Sequence, residues 1–151
     1  MVWGAITANS KSSLIHVPKG RRTAAGFVDV VYYAKLGHYI YSWDNARELV
    51  LTKNGAPVHR SVVTATWRNN GGLVKLNWPA NFLDFNPIEN LWFVCTAYVV
   101  NGNRFLNQGA MFALVERVWS DIDQGRIADM IRTMPKRIAA ILAADSSSTR
   151  R

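Results

Sequence analysis

Apolar positions change their period several times along this chain, and the changes mark out its elements. Val2-Trp3-Gly4-Ala5-Ile6 and Leu14-Ile15-His16-Val17 are short apolar runs separated by a polar segment from Thr7 to Ser13, which predicts an antiparallel hairpin. Lys19-Gly20-Arg21-Arg22 reads as a basic turn, and Thr23 as the N-cap of a helix running to about Leu36. Leu49-Val50-Leu51 predicts a buried strand ended by Asn54-Gly55. A helix is predicted from about Pro57 to Asn70, closed by Gly71-Gly72. Alternation returns from Leu73 to Trp78, with Val74, Leu76 and Trp78 on one face and Lys75 and Asn77 on the other.

The remainder has a helical period. Asn86-Pro87-Ile88-Glu89 joins an Asn N-cap to Pro at the first helical position and an acidic third residue. Ile88, Leu91, Trp92, Cys95 and Val99 then share a stripe. Two further amphipathic runs follow. Met111, Leu114, Val115, Val118, Trp119 and Ile122 form one, and Ile127, Ile131, Met134, Ile138, Ile141 and Leu142 the other, with a kink or restart predicted at Pro135. Residues 1–144 read as one domain and 145–151 as a polar, frayed tail. Hairpin, helix, strand, helix, strand, then helices is an α/β order, which periodicity alone does not narrow further.

Composition narrows the function classes. A chain of 151 residues with 49% hydrophobic and 19% charged residues can bury a core and is not disordered. Eighteen Lys and Arg against ten Asp and Glu leave a net charge of +8, which favours polyanionic partners. The single Cys95 allows no internal disulfide and fits a reducing compartment, packed as a small apolar side chain. The apolar run from Leu91 to Val100 is short of the roughly 20 residues that cross a bilayer, and no signal sequence opens the chain. A soluble intracellular protein is expected, nuclear if its source is eukaryotic. The six Trp and five Tyr read as core ahead of base-stacking platforms.

Two segments carry candidate chemistry: Asn54-Gly55-Ala56-Pro57-Val58-His59-Arg60-Ser61 and Asn86-Pro87-Ile88-Glu89-Asn90-Leu91-Trp92, with 34 residues between Asn54 and Glu89. Each has a plain explanation alone. Asn-Gly is an ordinary turn, and a carboxylate at the third helical position caps free N–H groups. Together they resemble the DDE transposases of the Tc/mariner superfamily, which place a metal-binding Asp at the head of an Asp-Asn-Ala-Pro-x-His motif and a Glu or Asp in Asn-Pro-Ile-Glu at this spacing. Val2-Trp3-Gly4-Ala5-Ile6, Trp78-Pro79-Ala80-Asn81, and Met134-Pro135-x-Arg137 followed by Ile138-Ala139-Ala140-Ile141 extend the resemblance over nearly the whole chain. It departs at Phe82-Leu83-Asp84-Phe85, where the family continues with a Ser-Pro turn. Asp84 reads as a solvated acid before the cap ahead of a spare ligand.

The resemblance implies an α/β, ribonuclease-H-like fold with a five-stranded sheet in the order 3-2-1-4-5. Val2–Ile6, Leu14–Val17, Leu49–Leu51 and Leu73–Trp78 would be strands two to five. The first strand and its Asp would lie upstream of Val2, so an incomplete sheet lacking its central strand is expected, open to a strand-donating partner or to homo-oligomer formation. The resemblance also implies DNA cutting and joining by two Mg²⁺ or Mn²⁺ ions. Glu89 would be the third metal ligand and catalytic acid, and Asn54 a degenerate second one, with His59, Asn86, Pro87 and Trp92 supporting the motifs. An amide contributes no negative charge and one carboxylate cannot hold two ions, so a degenerate, truncated and inactive domain with no productive metal binding is expected. Salt-sensitive, non-specific DNA contacts would fall to Lys19, Arg21, Arg22, Arg60, Arg68, Arg132, Lys136 and Arg137. The alternatives are a non-catalytic basic nucleic-acid-binding or interaction module on the same scaffold, and a nuclease completed by another chain.

Overall fold

The hairpin forms as its two apolar runs and the polar segment between them predict. In the computed structural model, which describes residues 1–42, 49–53, 56–76, 86–102 and 107–148, β1 (Val2–Trp3) and β2 (Ile15–His16) run antiparallel. Val2 stands opposite His16 and Trp3 opposite Ile15, and an Ile6–Lys11 bridge extends the pairing. Successive strand side chains point to opposite faces, so this one hairpin serves two cores. Trp3, Ile15 and Val17 enter the first; Val2, Ile6 and Leu14 enter the second.

The first core is dominated by a helical run. Thr23 caps it, its Oγ1 accepting from Gly26 N–H at 3.2 Å. The run comprises α1 (Ala24–Phe27), a π-helical stretch (Val28–Leu36) and α2 (Gly37–Tyr41), so it passes the expected end at Leu36. Val28, Tyr32, Leu36 and Ile40 are all buried and recur at every fourth residue. An α-helix repeats every 3.6 residues, so such a row drifts by about 40° per step. Wider i→i+5 turns counter that drift and keep the row facing the core.

The helix predicted from Pro57 to Asn70 is two. Ser61 adopts extended backbone between α3 (Pro57–Arg60) and α4 (Val62–Asn70), and its Oγ accepts from Thr64 N–H at 3.3 Å. Its hydroxyl gives the chain a local cap, which favours a break there over continuation. Gly72, at φ 65, then closes α4 in a conformation that glycine adopts without strain.

β3 (Val50–Leu51) and β4 (Val74–Lys75) pair in parallel, Val50 opposite Val74 and Leu51 opposite Lys75. β3 is not buried as its sequence suggests, and β4 is exposed beside it. Val50 is 54% exposed and Val74 56% exposed, with Leu76 also exposed. Only the residues entering each strand, Leu49 and Leu73, pack on the first core. Trp78 and Asn77 lie outside the described residues. Among the described residues no hydrogen-bonded ladder joins the antiparallel pair to the parallel one.

Three helices build the second core, α5 (Pro87–Gly102), α6 (Gln108–Asp121) and α7 (Gln124–Arg132), and α8 (Met134–Ser148) follows them. Leu91 and Cys95 are buried there as the stripe predicts, with Ile88 and Trp92 against them. Asn107 and Asp123 cap α6 and α7. Thr133 ends α7, and α8 restarts beside Pro135 and runs through Ser148, into the stretch expected to be a tail. None of the described helices is long and apolar enough to cross a membrane.

Trp119 locks these helices to the hairpin. Its indole N–H donates to Ser12 O at 2.8 Å, and its ring stacks on Trp92 at 5.2 Å. Lys11 Nζ completes the joint by donating to the final carbonyls of α6, Trp119 O at 2.7 Å and Ser120 O at 2.8 Å, and to Ile122 O. Gly4 sits under this joint, where a Cβ would fall 2.8 Å from Leu14 Cδ2 and 3.1 Å from the Trp119 ring. Gly4→Ala is therefore expected to lower stability by about 1–3 kcal/mol through overpacking. Urea unfolding of the two chains, read by tryptophan fluorescence, checks this, and an unchanged midpoint would mean that the Leu14 methyl and the Trp119 ring give way to the added Cβ.

Candidate functional site

The first motif segment leads into a pocket of aromatic rings. Tyr32, from the π-helical stretch, lies 4.7 Å from the Trp67 ring of α4 and 5.5 Å from Phe27. His59, on α3, stacks near-parallel to Tyr32 and meets Phe27 edge-on at 5.2 Å. Its Nδ1 is 3.2 Å from the Tyr32 hydroxyl. The motif histidine is thus held by hydrogen bonding and packing.

Cations surround this group. Lys53, the residue beyond the end of β3 before position 54, donates from Nζ to His59 O at 2.7 Å and sits 6.0 Å over the Tyr32 ring. Burial, then Arg68 and Lys75, hold the Lys53 ammonium down to about 8. Burial pushes the Tyr32 phenol up to about 12, against a downward pull from Arg68. His59 is lowered to about 4, first by burial and then by Lys53 and Arg68. A neutral imidazole between two cations is the result at neutral pH.

The second motif segment lies on the other core. Asn86 is buried and its carbonyl accepts from Glu89 N–H at 3.0 Å as α5 begins. Pro87 occupies the first helical position, as predicted. Glu89 is half-buried in the first turn, with no hydrogen bond or ion pair to its carboxylate among the described residues. Nothing described links it to His59 or Lys53. Trp92, one turn on, is structural through its stack with Trp119. Asn54 and Asp84 lie outside the described residues.

The described donor set does not fit a divalent metal centre. Among the described residues no three His, Cys, Asp or Glu side chains gather to hold an ion. The groups that do gather, at the end of β3, are positively charged and would repel one.

Of the basic residues expected to meet DNA, Lys19, Arg21, Arg22, Arg60, Arg132, Lys136 and Arg137 are exposed. Arg21 is shared with Asp29 at 3.6 Å and Arg132 with Asp129 at 2.9 Å. Arg68 differs, being half-buried, with Nη1 donating to Thr64 O at 3.5 Å and its charge acting on Lys53 and His59. Sequence reasoning missed Lys53, Lys75 and Tyr32. The sequence carried no signal for either lysine, because it is the parallel register, Leu51 opposite Lys75, that brings Lys75 beside the chain leading to Lys53.

This arrangement has the fold of a transposase catalytic domain. The structure superposes on the catalytic domain of Mos1 mariner transposase with a TM-score of 0.71 at 14% identity, covering 95% of this chain and 81% of that one. A structure of the Mos1 catalytic domain with raltegravir and manganese matches equally, at 15% identity. The fold is therefore ribonuclease-H-like. In sequence the chain is similar to Tc transposases. It is 28% identical over 154 residues to the Tc1 transposase of Caenorhabditis elegans, spanning 99% of this chain and 54% of the relative. Against the Tcb1 transposase of Caenorhabditis briggsae it is 28% identical over 153 residues, and against the Tc3 transposase of C. elegans 26% over 148. The chain spans about half the length of the curated relatives it matches. No protein-family model matches the chain.

The lowered pKa of His59 fixes the sign of a pH effect. Above its unfolded value near 6.5, folded and unfolded chains both hold it neutral. As pH falls from 6.5 toward about 4, the unfolded chain takes up a proton that the folded chain refuses, and stability is lost. The loss should approach about 1.4 kcal/mol per pH unit at most and stop below the folded value. Urea titrations across this range, compared with His59→Gln, measure it. Equal slopes in the two chains would show that the imidazole is not held neutral.

Proposed function

We propose that this chain is a DNA-binding catalytic domain of the transposase type whose cutting and joining chemistry is lost. The observation that carries the reading is Asn54 at the head of the motif, in a chain similar to transposases along 99% of its length. An amide there leaves Glu89 as the one acid of the two motifs. The Mos1 domain matched in fold has been solved with manganese; here neither Mg²⁺ or Mn²⁺ is held productively, because Lys53 and Arg68 set the local charge.

What remains is electrostatic binding. A net charge of +8 and exposed cations on the turn before α1, at the end of α3 and along α7 and α8 favour phosphodiester contacts without base reading. A supercoiled plasmid with either metal is expected to stay intact. A mobility-shift series should show affinity falling by more than about tenfold between roughly 50 and 200 mM salt. Metal-dependent nicking that Glu89→Gln removes would overturn the loss of chemistry. Absence of a shift at low salt would overturn the DNA reading.

A further inference from the structure

Lys53, Arg68 and Lys75 lie near one end of the β3–β4 ladder and have no counter-ion among the described residues. The β3–β4 register sets Lys75 beside Leu51, two residues before Lys53, and Leu76 N–H bonds Leu51 O at 3.0 Å as the chain leaves the pair. Arg68 is brought to that end because its own carbonyl accepts from Leu73 N–H at 3.0 Å, tying the last turn of α4 to the entry of β4. Electrostatic influence of Arg68 on Lys53, His59 and Tyr32 marks the same convergence. Among the described residues the ion pairs are Arg21 with Asp29 and Arg132 with Asp129, and neither involves this group.

Its donors outnumber its acceptors. An ammonium carries three N–H groups, and Lys53 uses one, toward His59 O. Arg68 reaches Thr64 O from Nη1 at 3.5 Å, while its Nε is buried with no partner. Lys75 is exposed and makes no hydrogen bond or ion pair among the described residues. Two half-buried like charges with unfilled donors, Lys53 and Arg68, are costly unless an anion completes them. Water-facing lysines alone would not ask for one; a buried guanidinium N–H without an acceptor does.

We propose that Lys53, Arg68 and Lys75 form a phosphate site at the end of the β3–β4 ladder. The ligand chemistry is a tetrahedral phosphate oxyanion, whose several oxygens accept from a guanidinium edge and two ammonium groups at once. Its source is a nucleic-acid phosphodiester or free phosphate. The first source rests on the DNA reading above; the site itself does not. The ladder end that the resemblance assigns to a metal-binding carboxylate is in this chain an anion receptor.

The test is a two-dimensional NMR titration with inorganic phosphate at constant ionic strength, chloride balancing each addition, followed by a short DNA duplex. Phosphate should shift the amides of residues 51–53, 68 and 75 at concentrations where chloride does not. Lys53→Met and Lys75→Gln should each weaken phosphate by about tenfold, the loss of one charge-assisted hydrogen bond. Lys35→Gln, an exposed lysine on the helical run, controls for net charge and should stay within about twofold of the parent. Lys75 is exposed, so Lys75→Gln keeps the test open if Lys53→Met fails to fold.

Phosphate no better than chloride, or affinity indifferent to both lysines, overturns the site. DNA binding that survives both substitutions unchanged also overturns it as a DNA contact while the DNA reading stands. Lysine-dependent phosphate binding without DNA binding upholds the site, assigns it to free phosphate and removes the DNA reading instead.

Discussion

Tyr32 is the residue on which the site end of this fold depends. Its ring meets Phe27 from the helical run, His59 from α3 and Trp67 from α4, and its hydroxyl reaches His59 Nδ1. Lys53 then fastens the end of β3 to the same cluster through His59 O. Three helical segments and one strand end are thus positioned by a single buried phenol. Aromatic pairs of this kind contribute about 0.5–1.5 kcal/mol each beyond their buried area, so several on one ring make a rigid corner. The imidazole in that corner is shielded from protons, and the lysine is kept from full hydration.

Trp119 plays the corresponding part in the second core, and the hairpin passes between the two. Leu14 and Ile15 are neighbours in sequence yet belong to different cores. A shift of one residue in the hairpin register would exchange these faces and lose both. This explains why so short a ladder is well defined: its register is fixed by what lies on either side, more than by its own few hydrogen bonds.

Much of this was legible in the sequence, for physical reasons that differ by element. The hairpin, the Thr23 cap, the Pro87 helix start and the restart at Pro135 follow from local chemistry, and local chemistry is what a sequence displays. The family resemblance came from two motifs at a fixed spacing, and the similarity to Tc transposases along nearly the whole chain bore it out. The break at Ser61 was hidden because a serine within a helical pattern reads equally as interior or cap, and packing decides. The exposure of Val50 and Val74 was hidden because apolar character does not say whether a covering layer exists. The site was least legible of all. Lys53, Arg68 and Lys75 are scattered in sequence and gather only through a parallel register and the turn after α4.

The π-helical stretch has a consequence for how this chain tolerates change in length. Val28, Tyr32, Leu36 and Ile40 stay in line because wide turns cancel the drift of a four-residue repeat. Removing one residue between Tyr32 and Ile40 would let the segment relax to an ordinary α-helix and turn everything after it by about 100°, one residue's rotation. Ile40 would leave the core while Tyr32 kept its place. The helical run therefore acts as a gauge whose residue count is fixed even where its residue types are free. Insertions and deletions among relatives of this fold should collect in its loops and spare this span.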